Sequence, residues 1–217
     1  MLQLFGHDFS SYTWKAKIAL YENATPFVGR SLAPDHPDNL AEWAQRWPLA
    51  KFPVLVDGDR TIGEATAIIE HLAVRHPGPI ALIPGDPDDA VEARMLDRVF
   101  DNHVMGPMQT IVGDALRPAG TGDPFGVDAA RGALDRSYAW LDAQMSGRCW
   151  SMTDFGLADC AAAPALFYAD WAHPIPDRHA ALKAYRARLL ARPSVARAVD
   201  EARPYRDFFP LGAPDRD

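Results

Sequence analysis

Pro77, Gly78, Pro79, Pro84, Gly85 and Pro87 crowd the stretch His76–Pro87, and the hydrophobic pattern differs in kind on its two sides. Proline and glycine at that density interrupt helices and strands alike, so the stretch reads as a linker. Before it, short apolar runs alternate with helical periodicity. After it, every periodic segment is helical. A chain patterned this way is expected to fold as an α/β unit over residues 1–77, a connection over 78–88, and an all-helical unit over 89–217. At 217 residues, each part is long enough to bury a core.

The first part reads βαβαββα. Met1–Phe5 is a short apolar strand, and His7–Ser11 is a polar loop carrying helix-capping residues. Trp14, Ile18 and Tyr21 mark one face of a helix over Tyr12–Glu22, which Asn23 and Pro26 close. Phe27–Leu32 is a second strand, and Asn39–Trp47 is a short helix stopped by Pro48. Val54–Val56 and Thr61–Ile62 flank the hairpin turn Asp57-Gly58. Glu64–Arg75 is a helix with Ile68, Ile69 and Leu72 as its stripe. A strand–helix–strand start demands a parallel pair, and the hairpin an antiparallel one, so the sheet is mixed.

Beyond the linker, Asp89–Leu116 reads as one long helix bent near Gly106-Pro107. The loop Pro118–Gly126 leads to helices over Val127–Met145, Gly156–Trp171, Asp177–Ala191 and Ser194–Ala202. Phe208 and Phe209 in the tail are expected to pack back on the body.

Charge narrows the partners. The net charge of −7 lacks the basic footprint that nucleic acid or an anionic membrane requires. No apolar run is long enough to span a bilayer, and Met1–Phe5 lacks the features of a secretion signal. Cys149 and Cys160 are neither paired as C-x-x-C nor set among histidines, so a disulfide frame or zinc site is not expected. Two reduced thiols fit a cytoplasmic chain, with Cys160 inside a helix core. No nucleotide motif stands out.

Four segments carry chemistry. Ser10-Ser11-Tyr12-Thr13 opens a helix, whose free N–H groups and dipole stabilise an anion such as a thiolate. A serine there also reads simply as a cap. Lys51-Phe52-Pro53-Val54 sets a proline before a buried strand; a cis bond would turn the Phe52 backbone groups outward to pair with an extended peptide. Glu64-Ala65-Thr66 opens the next helix, where a carboxylate meets an ammonium and N–H groups meet a carboxylate, or where Glu64 merely favours the dipole. Gly156 to Asp159 approximates a capping box and reads as structural.

In this order and spacing, the segments resemble the glutathione transferases over nearly the whole chain. The first helix, Ser10-Ser11-Tyr12-Thr13-Trp14-Lys15-Ala16-Lys17-Ile18-Ala19-Leu20, is similar to that of zeta-like and bacterial serine-type members. Ala50-Lys51-Phe52-Pro53-Val54-Leu55 matches the family's Gly-Lys-Val-Pro-x-Leu segment, and Glu64-Ala65-Thr66-Ala67-Ile68 its Glu-Ser-x-Ala-Ile segment. Gly156-Leu157-Ala158-Asp159 matches the cap of the buried sixth helix. The resemblance implies a thioredoxin-like first domain that binds glutathione as co-substrate, with no metal, and a homodimer. It gives thiolate activation to Ser10, with Ser11 as second choice. Phe52 would pair with the cysteinyl backbone beside a cis Pro53, and Lys51 would lie near the glycyl carboxylate. Glu64 would meet the γ-glutamyl ammonium, and the N–H groups of Ala65 and Thr66 its carboxylate. Asp159 would hold its helix together.

Two departures stand out. Ala65 replaces a serine that bonds the γ-glutamyl carboxylate, a loss of roughly 1.5–3 kcal/mol unless Thr66 or water compensates. Gly156 replaces a capping side chain at a cost of only about a few tenths of a kcal/mol. The reading that follows is detoxifying transfer of the glutathione thiolate to a small hydrophobic electrophile, held between the domains near Asn102, His103, Met105 and Met108. Packing is the plainer role for these four, and His103 is given no catalytic one. The alternatives are a non-catalytic protein of this fold that binds a ligand or partner, and a maleylacetoacetate-type isomerase, against which Tyr12 stands where that group has cysteine. A thiol oxidoreductase would need a cysteine near Ser10, and none exists.

Overall fold

The computed structural model describes residues 1–217. The first half runs β1 (Leu2–Gly6), α1 (Ser11–Glu22), β2 (Phe27–Ser31), α2 (Pro37–Arg46), β3 (Val54–Asp57), β4 (Arg60–Gly63) and α3 (Ala65–Arg75). Its sheet has the order β2-β1-β3-β4. β1 pairs parallel with β2, Leu4 opposite Gly29, and antiparallel with β3, Leu4 opposite Leu55. β3 and β4 form the hairpin around Asp57-Gly58, where Gly58 takes φ +59°. This is the expected mixed sheet. Helix α2 begins earlier than its apolar pattern suggests, because Pro37 suits the first turn of a helix.

The second half is helical: α4 (Pro87–Val99), a π-helical turn (Phe100–Met105), α5 (Gly106–Ala115), α6 (Pro124–Met145), α7 (Leu157–Ala172), α8 (Ala180–Leu190), α9 (Pro193–Ala202) and a 3-10 turn (Arg203–Phe208). The expected long helix is therefore interrupted by a π-helical turn before Gly106-Pro107. Pro107 has no N–H to return to the His103 carbonyl, and its ring crowds that position. The freed His103 carbonyl accepts a hydrogen bond from Ser137 Oγ of α6 at 2.7 Å. Helix α6 starts inside the expected loop because Asp123 Oδ1 accepts the Gly126 N–H at 2.9 Å and Pro124 fits the first turn.

The two halves share one core rather than holding one each. A single cluster of 43 buried residues runs from Leu2 and Leu4 of the sheet to Val199 and Ala202 of α9, beside a smaller one of Phe5, Leu32, Val54 and Val56. Trp14 of α1 is the main bolt. It packs on Phe167 and Tyr168 of α7, with ring centroids at 4.9 and 5.2 Å, while its Nε1 donates to the Asp8 carbonyl at 2.6 Å. A buried aromatic of this size contributes on the order of 1.5–3 kcal/mol.

Helix α7 lies almost wholly buried. Asp159 anchors its start, accepting the Gly156 and Ser151 amides at 3.0 and 2.9 Å and the Tyr185 hydroxyl at 2.6 Å. Gly156 is dictated by the linker. A Cβ there would lie 2.9 Å from the Leu82 carbonyl oxygen, which accepts the Leu157 amide at 2.8 Å. Cys160 is buried, as expected, and Cys149 is exposed. No helix is long and apolar enough to cross a membrane.

Candidate functional site

A cleft of about 790 Å³ opens between the two halves, within the size range of small-molecule sites. Its first-half wall is made by Phe9, Ser10, Ser11 and Tyr12, by Ala50 to Pro53, and by Glu64 and Ala65. Three of the four segments singled out in the sequence thus converge on one space.

Ser10 caps α1 by accepting the Thr13 amide on its Oγ at 3.3 Å. Accepting leaves the hydroxyl proton free to donate into the cleft. Ser11 is buried, lines the same wall, and makes no side-chain hydrogen bond. Both capping and cleft lining therefore hold for Ser10, and the two hydroxyls stand side by side at a positive helix end. Burial, with the nearby Asp101 charge, pushes the Tyr12 phenol up to about 12, so it stays protonated at neutral pH.

The Phe52–Pro53 bond is cis, and Ala50 ahead of it holds φ +53°. Trp43 steadies this loop, donating Nε1 to the Lys51 carbonyl at 3.0 Å and setting its ring 6.1 Å from that of Phe52. Glu64, expected inside the helix, instead precedes it with φ +65° and no capping bond from its side chain. A non-glycine residue held there costs on the order of 1–3 kcal/mol, and such strain gathers at functional sites. Gly63 allows the approach to this position, since a Cβ on it would lie 2.2 Å from the Trp47 ring.

Thr66 is placed differently from its neighbours. Its side chain leaves the cleft for a polar cluster between the halves. Thr66 Oγ1 accepts from Lys15 Nζ at 2.8 Å and from Arg98, and donates to Asp97 Oδ2 at 2.9 Å. The hydroxyl is thereby committed, so it does not stand in for the serine that Ala65 replaces.

The second-half wall comes from Arg98, Asp101, Asn102 and Met108, from Val112 and neighbouring residues of α5, from Tyr168, and from Phe208 to Pro210. Of the four residues expected here, Asn102 and Met108 line the cleft. Met105 is 2% exposed in the core. His103 lines a separate hollow of about 320 Å³ with Arg136, Ser137 and Trp140. The π-helical turn sets the directions of these side chains, and helical spacing alone does not reveal it.

Arg98, Asp101, Val112 and Tyr168 of this wall are not marked by any motif in the sequence, and Phe208 and Phe209 read there only as tail packing. The signal the sequence does carry is Asp101, an acidic residue within an otherwise periodic helical segment, which the structure shows to be buried. Burial pushes its carboxyl above the ordinary range, although the Lys15 charge works against that shift. Tyr168 donates its hydroxyl to the Phe9 carbonyl at 2.8 Å and joins the two walls.

Residues 4–80 match the family described as glutathione S-transferase, N-terminal domain, and residues 124–188 that described as glutathione S-transferase, C-terminal domain. The chain is similar to a protein of Vibrio cholerae named probable maleylacetoacetate isomerase, 28% identical over 214 residues that cover 94% of this chain and 97% of the relative. Among solved structures it is similar to a glutathione S-transferase of Methylobacterium radiotolerans in complex with glutathione sulfonate, at 27% identity and TM-score 0.77, covering 91% and 94% of the two chains. A glutathione S-transferase of Methylobacillus flagellatus with glutathione bound has the same fold, at 23% identity and TM-score 0.80 over 91% and 98%.

Proposed function

Because this chain belongs to the glutathione S-transferase superfamily through both of its halves, we propose that it is an enzyme that binds glutathione in the interdomain cleft and joins it through its sulfur to a small hydrophobic electrophile. The observation that carries this reading is the convergence of Ser10 and Ser11, the Phe52–Pro53 cis turn and the strained Glu64 on one wall, opposite an apolar wall of Met108, Val112, Tyr168 and Phe209.

Glutathione lies extended along the first wall. Its γ-glutamyl ammonium meets Glu64, the γ-glutamyl carboxylate meets the backbone N–H groups at the start of α3, and Lys51 stands near the glycyl carboxylate. Phe52 pairs with the cysteinyl backbone. The thiol proton leaves to solvent, Ser10 donates a hydrogen bond to the resulting thiolate sulfur, and the α1 dipole adds to the stabilisation. The thiolate lone pair forms the bond to the electrophilic carbon while a leaving group departs with its bonding electrons, or, in addition to an activated double bond, while the π electrons shift to the far atom, which takes a proton from solvent. Desolvation by the apolar wall strengthens the serine–sulfur hydrogen bond. Met108 suits a permissive pocket because its side chain adapts. A cytoplasmic homodimer completes the reading.

A second reading, glutathione-assisted isomerisation of a maleylacetoacetate-type substrate, is favoured by the similarity to the Vibrio cholerae protein. It needs the same thiolate but returns it after a double bond has turned.

The test is conjugation of glutathione to a chloronitroarene, followed by absorbance. Ser10→Ala is expected to cut turnover about 10- to 1000-fold with the KM for glutathione little changed. Loss in Ser11→Ala alone moves the role to Ser11. Full turnover in both single variants and in the double variant contradicts hydroxyl activation.

A further inference from the structure

Away from the cleft, the fold brings together three residues that lie scattered in the sequence. Asp57 ends β3, His71 lies in the C-terminal part of α3, and His76 caps that helix. Both imidazoles aim Nε2 at the same carboxylate oxygen: Asp57 Oδ2 lies 2.9 Å from His71 Nε2 and 2.8 Å from His76 Nε2. The three atoms all fall within 4.8 Å of one another. None of the three residues lines the cleft.

We propose that Asp57, His71 and His76 form a binding site for a divalent transition-metal ion of the zinc class. Two imidazoles and one carboxylate are a donor set that such ions take, with further positions left to water. Bonds of about 2.0–2.2 Å in tetrahedral geometry separate neighbouring ligand atoms by about 3.3–3.6 Å. The two oxygen–nitrogen edges fall short of that by less than about 1 Å, so their opening admits the ion.

The setting favours a cation. The carbonyl end of α3 carries partial negative charge, and Asp57 carries a full one. Two ligands belong to one helix end, where the His76 amide is bonded to the Leu72 carbonyl at 2.8 Å. The third is fixed by the β3–β4 ladder, where Asp57 pairs with Arg60. Little order is lost on binding when the ligands are held this way. His71 is nearly buried, whereas the side chains of His76 and Asp57 are 32% and 27% exposed, which gives the ion a path in. Once bound, the ion bridges the hairpin to α3 and replaces the two imidazole–carboxylate hydrogen bonds.

The experiment uses full-length protein stripped with a chelator, free of glutathione, with Cys149→Ser in every sample so that the exposed thiol takes no metal. Zinc chloride alone is titrated by calorimetry, thermal unfolding is followed with and without zinc, and cobalt(II) is added for its visible spectrum. One zinc per chain at micromolar affinity, a raised unfolding midpoint and a tetrahedral cobalt spectrum are expected. His76→Ala is expected to weaken zinc binding by at least about tenfold and to remove the midpoint shift. Asp57→Asn, which keeps the side-chain shape, serves the same comparison if His76→Ala folds poorly. No binding at sub-millimolar zinc, or unchanged affinity in the folded variant, overturns the proposal.

Discussion

Lys15 Nζ of α1 stands 2.7 Å from Asp101 Oδ2 of the π-helical turn, and this buried ion pair joins the two halves directly behind the cleft. Lys15 also reaches Asp97 Oδ1 at 2.5 Å, and its side chain is 1% exposed. Arg98 approaches the same two carboxylates from the solvent side, at 2.5 Å from Asp97 and 2.6 Å from Asp101. Two buried carboxylates therefore depend on one buried ammonium and one half-exposed guanidinium.

Removing the ammonium leaves two buried carboxylates with only the half-exposed Arg98 guanidinium to offset them. Lys15→Met is expected to destabilise the chain by about 3–5 kcal/mol in urea unfolding at neutral pH. Adding Asp101→Asn should recover part of the loss, because it removes one of the stranded charges. A single-variant loss under about 0.5 kcal/mol, as for an exposed pair, would mean that Lys15 is not held between the carboxylates.

Gly156 invites the opposite of the usual capping rule. Serine at a helix start normally stabilises by about a few tenths of a kcal/mol over glycine. Here the added Cβ would meet the Leu82 carbonyl at 2.9 Å. Gly156→Ser is expected to lower stability by about 1–3 kcal/mol, the usual scale for overpacking. A gain in the urea midpoint would show that the linker yields at Leu82.

These two positions mark where local sequence stops being informative. The strand–helix alternation, the hairpin at Asp57-Gly58 and the cap at Ser10 were all legible, because each is set by residues within a few positions. The convergence of three loops on one cleft was legible only through family resemblance. The rest depends on long-range packing. Lys15 sits in an alternating basic and apolar stretch that gives no sign of its burial, and its carboxylate partners lie more than eighty residues away. Glycine at 156 read as a weak cap because the linker carbonyl that requires it is distant in sequence. Phe208 and Phe209 reach the cleft only through the path of the tail after α9.

Ala65 gives a test of gain. It is 5% exposed at the start of α3, on the cleft wall, and the neighbouring Thr66 hydroxyl is held by Lys15 and Asp97. Ala65→Ser should add a charge-assisted hydrogen bond to the γ-glutamyl carboxylate and tighten glutathione binding about ten- to a hundredfold. Unchanged affinity would mean that water already fills that place.

Glutathione binding itself is the most direct measurement: titration calorimetry of glutathione into the purified wild-type protein. Saturable binding to one site per chain, with a dissociation constant between micromolar and low millimolar, is the expected result. No heat of binding at several millimolar glutathione would contradict it, and would mean that the fold and its cleft have been kept without the thiol they are read to hold.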